Sequence, residues 1–102
     1  MHLNDEMLLD RRECERVSVA STINVRPIGS VVHEVRLDDV SIAGCRVELI
    51  ESVELGEPLI TRFPELEPLV GEVRWVSGAV AGLAFSRRMH PVVLDAVVTR
   101  LP

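Results

Sequence analysis

Lysine and tyrosine are absent from the 102-residue sequence, and its aromatic residues are limited to two phenylalanines and one tryptophan. Proteins that bind single-stranded nucleic acid stack the bases on exposed aromatic side chains, so this composition argues against that class. The formal net charge of −5 argues against a protein that binds long DNA or RNA, because such binding requires a basic face. All eleven basic residues are arginines, and only their clustering is therefore informative.

Cysteine and histidine are also scarce. Cys14 and Cys45 have no CxxC spacing and are too few for a disulfide framework, so a reduced cytoplasm is the expected setting. The three histidines share no metal-ligand spacing, and no Ser/His/Asp, Cys/His or HExxH arrangement is present. We therefore expect no metal, no cofactor and no enzymatic activity. Two inert thiols are a simpler interpretation of the cysteines than a redox pair, or than a metal site completed by His33 or His90.

The first ten residues contain no long apolar run, and three of them are acidic. They match neither a signal peptide nor a membrane span. The length of the chain suits one compact domain. We expect a cytoplasmic protein with no membrane contact.

Hydrophobic periodicity divides the chain into two parts. Residues 1–16 are charged without a regular pattern, and we expect them to form a flexible N-terminal arm. Residues 17–102 contain short segments of alternating apolar and polar residues, separated by prolines and glycines, which is typical of β-strands. The predicted strands cover residues 17–25, 31–40, 45–49, 59–63, 69–76 and 82–85.

A helix is predicted after the last strand, over about residues 90–101. Pro91 is tolerated at the first helical position, and Leu94, Val97, Val98 and Leu101 follow at helical spacing. The expected fold is therefore mainly β: a small six-stranded antiparallel β-barrel with a flexible N-terminal arm and a C-terminal α-helix. Trp75, Leu83 and Phe85 are the large side chains expected to anchor its core.

Two short motifs suggest a nucleotide site. The first, residues 11–16, reads RRECER and is an RxxxR motif with an additional arginine in front. The second, residues 39–44, reads DVSIAG and is a DxSxxG motif. Guanidinium groups suit phosphate oxygens and the Hoogsteen edge of guanine, whereas a carboxylate accepts hydrogen bonds from a base. The two motifs therefore offer complementary chemistry.

In this order the motifs resemble those of the PilZ domain, the bacterial receptor module for cyclic di-GMP. The residues 44–47, 71–76 and 82–85 also resemble the PilZ layout, so the resemblance covers about residues 11–100. It implies a cyclic di-GMP receptor that signals to an unidentified protein partner. Because the arginines lie on the arm and the acceptors on the barrel, we expect a ligand that contacts both to order the arm on the barrel. The site residues that the resemblance implies are Arg12, Arg16, Asp39, Ser41 and Gly44.

Three further arginines are candidates to extend this site. Family members with arginine at the position of Arg11 tend to bind an intercalated pair of cyclic di-GMP molecules. Arg46 and Arg74 are expected to project from the outer barrel face, where each is a candidate for an additional contact, although exposed strand arginines are more often simply solvated. Glu13 and Glu15 lie between the arginines and have three open interpretations. They weaken the positive potential that attracts the ligand, they point away into solvent, or they pair with arginines and hold the arm closed until a ligand competes for them.

Other interpretations of the same residues stay open. Asp39 and Ser41 are also typical of an ordinary turn between two strands. Trp75 could stack on a base, but a lone strand tryptophan is usually a core residue. The alternative function is a degenerate PilZ-like domain that binds no nucleotide and acts as a protein-protein interaction module. A small barrel that binds single-stranded nucleic acid is disfavoured by the composition.

Overall fold

Six antiparallel strands close into a barrel, and a helix follows the last strand. The computed structural model describes residues 15–49 and 51–102. Within them the strands and the helix are β1 (Val17–Pro27), β2 (His33–Val40), β3 (Gly44–Glu48), β4 (Pro58–Arg62), β5 (Leu69–Ser77), β6 (Val80–Phe85) and α1 (Pro91–Arg100). The predicted barrel and C-terminal helix are confirmed. The predicted arm lies outside the described residues except for Glu15 and Arg16.

The strands follow the order β1-β2-β3-β6-β5-β4, and β4 returns to pair with β1. Hairpins join β1 to β2, β2 to β3, β4 to β5 and β5 to β6. The remaining β3–β6 pairing brings distant parts of the chain together, with Cys45 opposite Leu83. The turn of the DxSxxG motif therefore lies at one end of the barrel, where Phe85 N–H donates to the Ala43 carbonyl at 2.8 Å.

The interior is filled by branched aliphatic side chains on alternating strand positions. Leu37, Val47 and Val73 are almost completely buried, as the period of two requires. Phe63 and Phe85 contact each other edge to face, with their ring centroids 5.7 Å apart. Of the three predicted large anchors, Leu83 and Phe85 are in the core, but Trp75 is 39% exposed. The prediction that Trp75 is a core residue is wrong.

The helix α1 begins as its sequence predicts. Val92 N–H donates to the Nδ1 atom of His90 at 3.1 Å, which satisfies one of the backbone donors at the helix start, and Pro91 occupies the first turn. Leu94 and Val97 are buried against the barrel. The helix thus packs onto the core through the face that its periodicity predicted.

Two β-bulges explain which side chains face outward. Between β2 and β3 the register shifts after Leu37, so that Asp38 is an extra residue and Asp39 takes the next outward position. Between β5 and β6 the register shifts after Val73, and Trp75 consequently pairs with Gly82. A bulge reverses the alternation of the residues beyond it. Trp75 is outside the barrel for this reason.

Candidate functional site

A line of paired residues crosses the outer surface of the barrel from β5 to β1. Trp75 pairs with Gly82, which pairs on its other side with Arg46. Arg46 pairs with Asp39, which in turn pairs with Ser18. Residues that pair across neighbouring strands lie on one face of a sheet, and Arg46 is exposed. These five residues, here called the outer row, therefore share the outer surface.

Asp39 is at the centre of the charges in this row. Its Oδ1 atom accepts a hydrogen bond from Arg16 Nη1 at 2.7 Å, and its Oδ2 atom lies 3.0 Å from Arg46 Nη2. The two guanidinium groups cover the carboxylate, so that Asp39 is only 4% exposed although it faces outward. Both arginine side chains remain about half exposed. The carboxylate is therefore buried beneath two cations that are themselves accessible.

The Ser41 hydroxyl is engaged within its own turn. Its Oγ atom accepts hydrogen bonds from Ala43 N–H at 3.1 Å and Gly44 N–H at 3.2 Å. The backbone closes the same turn, because Ser41 N–H donates to the Gly44 carbonyl at 2.8 Å. These contacts are those of the ordinary turn that was the alternative interpretation of the motif. Asp39, in contrast, makes its side-chain contacts with the arginines.

Gly44 has a structural requirement of its own. A Cβ atom at this position would lie 2.0 Å from the backbone oxygen of Leu83 on β6. No side-chain rotation relieves a contact with a backbone atom. The glycine of the motif therefore allows β3 and β6 to approach each other, in addition to any approach of a ligand.

An open cleft of about 240 Å³ lies beside the outer row. It is lined by Arg16, Ser41, Ala43, Gly44, Arg74, Trp75, Gly82, Leu83 and Ala84. Alanine and glycine account for four of these residues, and the long side chains are two arginines, a leucine and the tryptophan. A cleft with small residues between cationic and aromatic side chains has room for a flat, anionic ligand.

The structure brings together most of the predicted site residues that it describes. Arg16, Ser41, Gly44 and Arg74 line the cleft, and Asp39 and Arg46 are linked to it through the contact between Asp39 and Arg16. Arg74 lies 3.1 Å from Glu72 and is largely exposed. Arg11 and Arg12 lie outside the described residues.

Sequence reasoning considered base stacking by Trp75 but favoured a core position for it, and it did not assign Gly82 to this site. The local pattern of β5 suggested an inward tryptophan, because a bulge at Arg74 leaves no clear mark in the alternation. The sequence nevertheless contained a signal. When one strand of a hairpin has an aromatic residue and the other has a glycine, the aromatic ring often packs over the glycine.

Cys45 is buried in the core, within range of the Asp39 charge. Burial raises the pKa of the Cys45 thiol from 9.0 to about 12, with a further increase from the Asp39 carboxylate and an opposing decrease from Arg16. Cys14, the other cysteine of the sequence, lies outside the described residues. His90 caps the helix, and His33 Nε2 lies 3.8 Å from Glu51.

Residues 15–49 and 51–102 contain no group of three potential metal ligands. Nor does this part of the chain include a helix that is sufficiently long and apolar to cross a membrane.

Comparisons with known proteins agree on a family. A family model described as "PilZ domain" matches residues 10–100. The PlzA protein of Borreliella burgdorferi, solved in complex with c-di-GMP, superimposes with a TM-score of 0.64 at 16% identity; the match covers 95% of this chain and 43% of PlzA. The PilZ domain of CeSA from a cellulose-synthesizing bacterium superimposes with a TM-score of 0.58 at 15% identity, covering 84% of this chain and 92% of that one. The search of curated proteins finds no match.

Proposed function

This chain belongs to the PilZ domain family, and from that premise we propose that it is a receptor for cyclic di-GMP. The observation that carries the proposal is the outer row and its cleft, which join the two arginines around Asp39 to the exposed Trp75. PlzA was solved in complex with this same nucleotide, which supports the proposal.

The ligand would replace Arg16 as a hydrogen-bond partner of Asp39. In the structure both carboxylate oxygens are occupied by arginines of the chain itself. Guanine N1–H and N2–H₂ can donate to one carboxylate together, and phosphate oxygens can take over the guanidinium donors. We propose that Arg16 moves from Asp39 to a phosphate while the base binds Asp39. Because the Arg16 side chain is 54% exposed, this exchange requires no rearrangement of the core.

Trp75 would stack on the face of a base, and Arg74 would bind a phosphate of the ligand. Trp75 presents part of its indole at the cleft, and a base stacked on an aromatic side chain is worth roughly 1–3 kcal/mol. Arg74 lines the same cleft, and a phosphate could compete with Glu72 for its guanidinium. Arg46 is expected to hold Asp39 in place when Arg16 departs.

Arg11 and Arg12 would complete the site from the arm. We propose that residues 1–16 become ordered on the barrel when Arg12 and Arg16 both bind phosphate, and that Arg11 allows an intercalated pair of ligand molecules. The ordered arm would then present a changed surface to a downstream protein in the cytoplasm. This is the action of a receptor, and the proposal includes no catalytic step.

Calorimetric titration of the purified chain with cyclic di-GMP tests the proposal, with GTP and cyclic AMP as control ligands. We expect selective binding, and a ratio of two ligands per chain if Arg11 acts as proposed. Absence of binding in a folded sample would contradict the receptor function and favour the alternative, a protein-protein interaction module.

Variants connect binding to the named residues. Arg12→Ala and Arg16→Ala should each abolish detectable binding. The matched control is Arg62→Ala, which removes an exposed arginine from β4, a strand that contributes nothing to the outer row. Unchanged affinity in Arg16→Ala, or an equal loss in Arg62→Ala, would show that net charge and not the site attracts the ligand.

A further inference from the structure

Gly82 lies directly beneath the indole of Trp75. A Cβ atom built on Gly82 would be 2.1 Å from Nε1, 2.3 Å from Cε2 and 2.8 Å from Cδ1 of Trp75. All three atoms belong to the five-membered ring of the indole. This ring therefore lies over the glycine and occupies the space that any side chain at position 82 would need.

The backbone does not require glycine at this position. Among the described glycines, positive φ angles occur at Gly29, Gly56 and Gly78, whereas Gly82 has an ordinary strand conformation. A glycine inside a strand usually weakens the strand by its conformational entropy and by the missing side chain. The structure therefore explains Gly82 by the space that the Trp75 indole occupies.

The position of the indole determines how it faces the charged residues of the outer row and the cleft. Gly82 separates Trp75 from Arg46 in the outer row, and Gly82 and Trp75 both line the cleft that contains Arg16. An indole lying on the glycine turns one ring face toward the barrel and leaves the other accessible. A side chain at position 82 would lift the ring out of the row and change the direction of its accessible face.

We propose that Gly82 is a positioning residue, which holds the Trp75 indole flat in the outer row so that its free face is available to a nucleobase. The part that concerns the nucleobase rests on the proposed cyclic di-GMP function. The steric part concerns the empty protein and can be tested without a ligand.

The first experiment measures tryptophan fluorescence of the ligand-free chain. Trp75 is the single tryptophan of the sequence, so its emission is unambiguous. We expect Gly82→Ala to shift the emission to longer wavelength and to increase quenching by acrylamide, because the lifted indole is more hydrated. The matched control is Gly71→Ala on β5, where the nearest atoms to a new Cβ belong to Leu83 and Thr61. An unchanged spectrum in folded Gly82→Ala would overturn the steric part.

The second experiment is a double-mutant cycle on cyclic di-GMP affinity. Gly82→Ala should weaken binding about tenfold when Trp75 is present, the scale of one stacked base, and less than about twofold in a Trp75→Ala background. A merely structural glycine would weaken binding equally in both backgrounds, and that result would overturn the proposal. If Gly82→Ala does not fold, recovery of folding in Gly82→Ala/Trp75→Ala would identify the indole as the obstacle, and failure to recover would contradict it.

The two experiments separate the possible failures. If the wild-type chain does not bind cyclic di-GMP, the proposed function is wrong, whereas the fluorescence shift still decides whether Gly82 places the indole. If the wild type binds and the cycle shows no coupling, the receptor function stands and the positioning role is refuted.

Discussion

At the scale of single residues, Asp39 connects the surface site to the core. Its carboxylate contacts Arg16 and Arg46 on the outer face, and it adds to the increase that burial causes in the pKa of the Cys45 thiol. Arg16 has the opposite effect on the same thiol. The electrostatics of the site are therefore felt by a buried group that no ligand would touch.

The Cys45 thiol should make stability depend on alkaline pH. Its pKa rises from 9.0 to about 12 on folding, so the unfolded chain releases this proton first. The contribution of this group to the free energy of unfolding is fully present below pH 9 and is lost as the pH rises toward 12. Urea denaturation over this range, in a Cys14→Ala background so that one thiol titrates, should show the decline. Adding Cys45→Ala should remove this decline in the free energy of unfolding. An equal dependence on pH in both chains would contradict the prediction.

Gly44→Ala should be strongly destabilising. The new methyl group would meet the backbone oxygen of Leu83, and relief requires separation of β3 from β6, so we expect a loss of about 2–4 kcal/mol. Urea denaturation measures the loss. Gly71→Ala, whose closest contact is the Leu83 side chain at 3.2 Å, should cost less. Equal losses would show that glycine replacement in a strand, and not the backbone contact, determines the effect.

At the scale of elements, the sequence predicts the strands better than it predicts their faces. The six predicted strands and α1 are present, and in most of them the buried side chains follow the alternation or the helical spacing that predicted them. The bulges at Asp38 and Arg74 depend on register between strands, which local alternation does not encode. The motif predicted Asp39 as a site residue in spite of its bulge. The RxxxR and DxSxxG motifs do not include Trp75, and its local pattern favoured the core.

The turn between β2 and β3 should depend on the Ser41 hydroxyl. Ser41→Ala leaves the N–H groups of Ala43 and Gly44 without their acceptor, and we expect the free energy of unfolding to fall by about 1–2 kcal/mol. Thermal or urea denaturation measures this, with the exposed Ser86→Ala as the control. Unchanged stability would mean that the hydroxyl is free to serve a ligand instead of the turn.

At the scale of the whole molecule, the proposed ligand should stabilise the barrel against unfolding. A ligand that binds only the folded chain contributes about 2.7 kcal/mol at a free concentration one hundred times its Kd. The melting temperature should therefore rise with the concentration of cyclic di-GMP, and it should not rise with GTP. The increase should vanish in Arg16→Ala, and its persistence there would place binding away from the outer row.

The outer row also has a consequence for the order of events in folding. Its residues come from five strands, and β3 meets β6 only through a pairing between distant parts of the chain. A ligand that needs Asp39 and Trp75 together finds no site until this long-range closure has occurred. We expect most of the binding energy to act on the closed native barrel and little of it on the folding transition state. A ligand that binds as proposed should therefore slow unfolding more than it changes the rate of refolding.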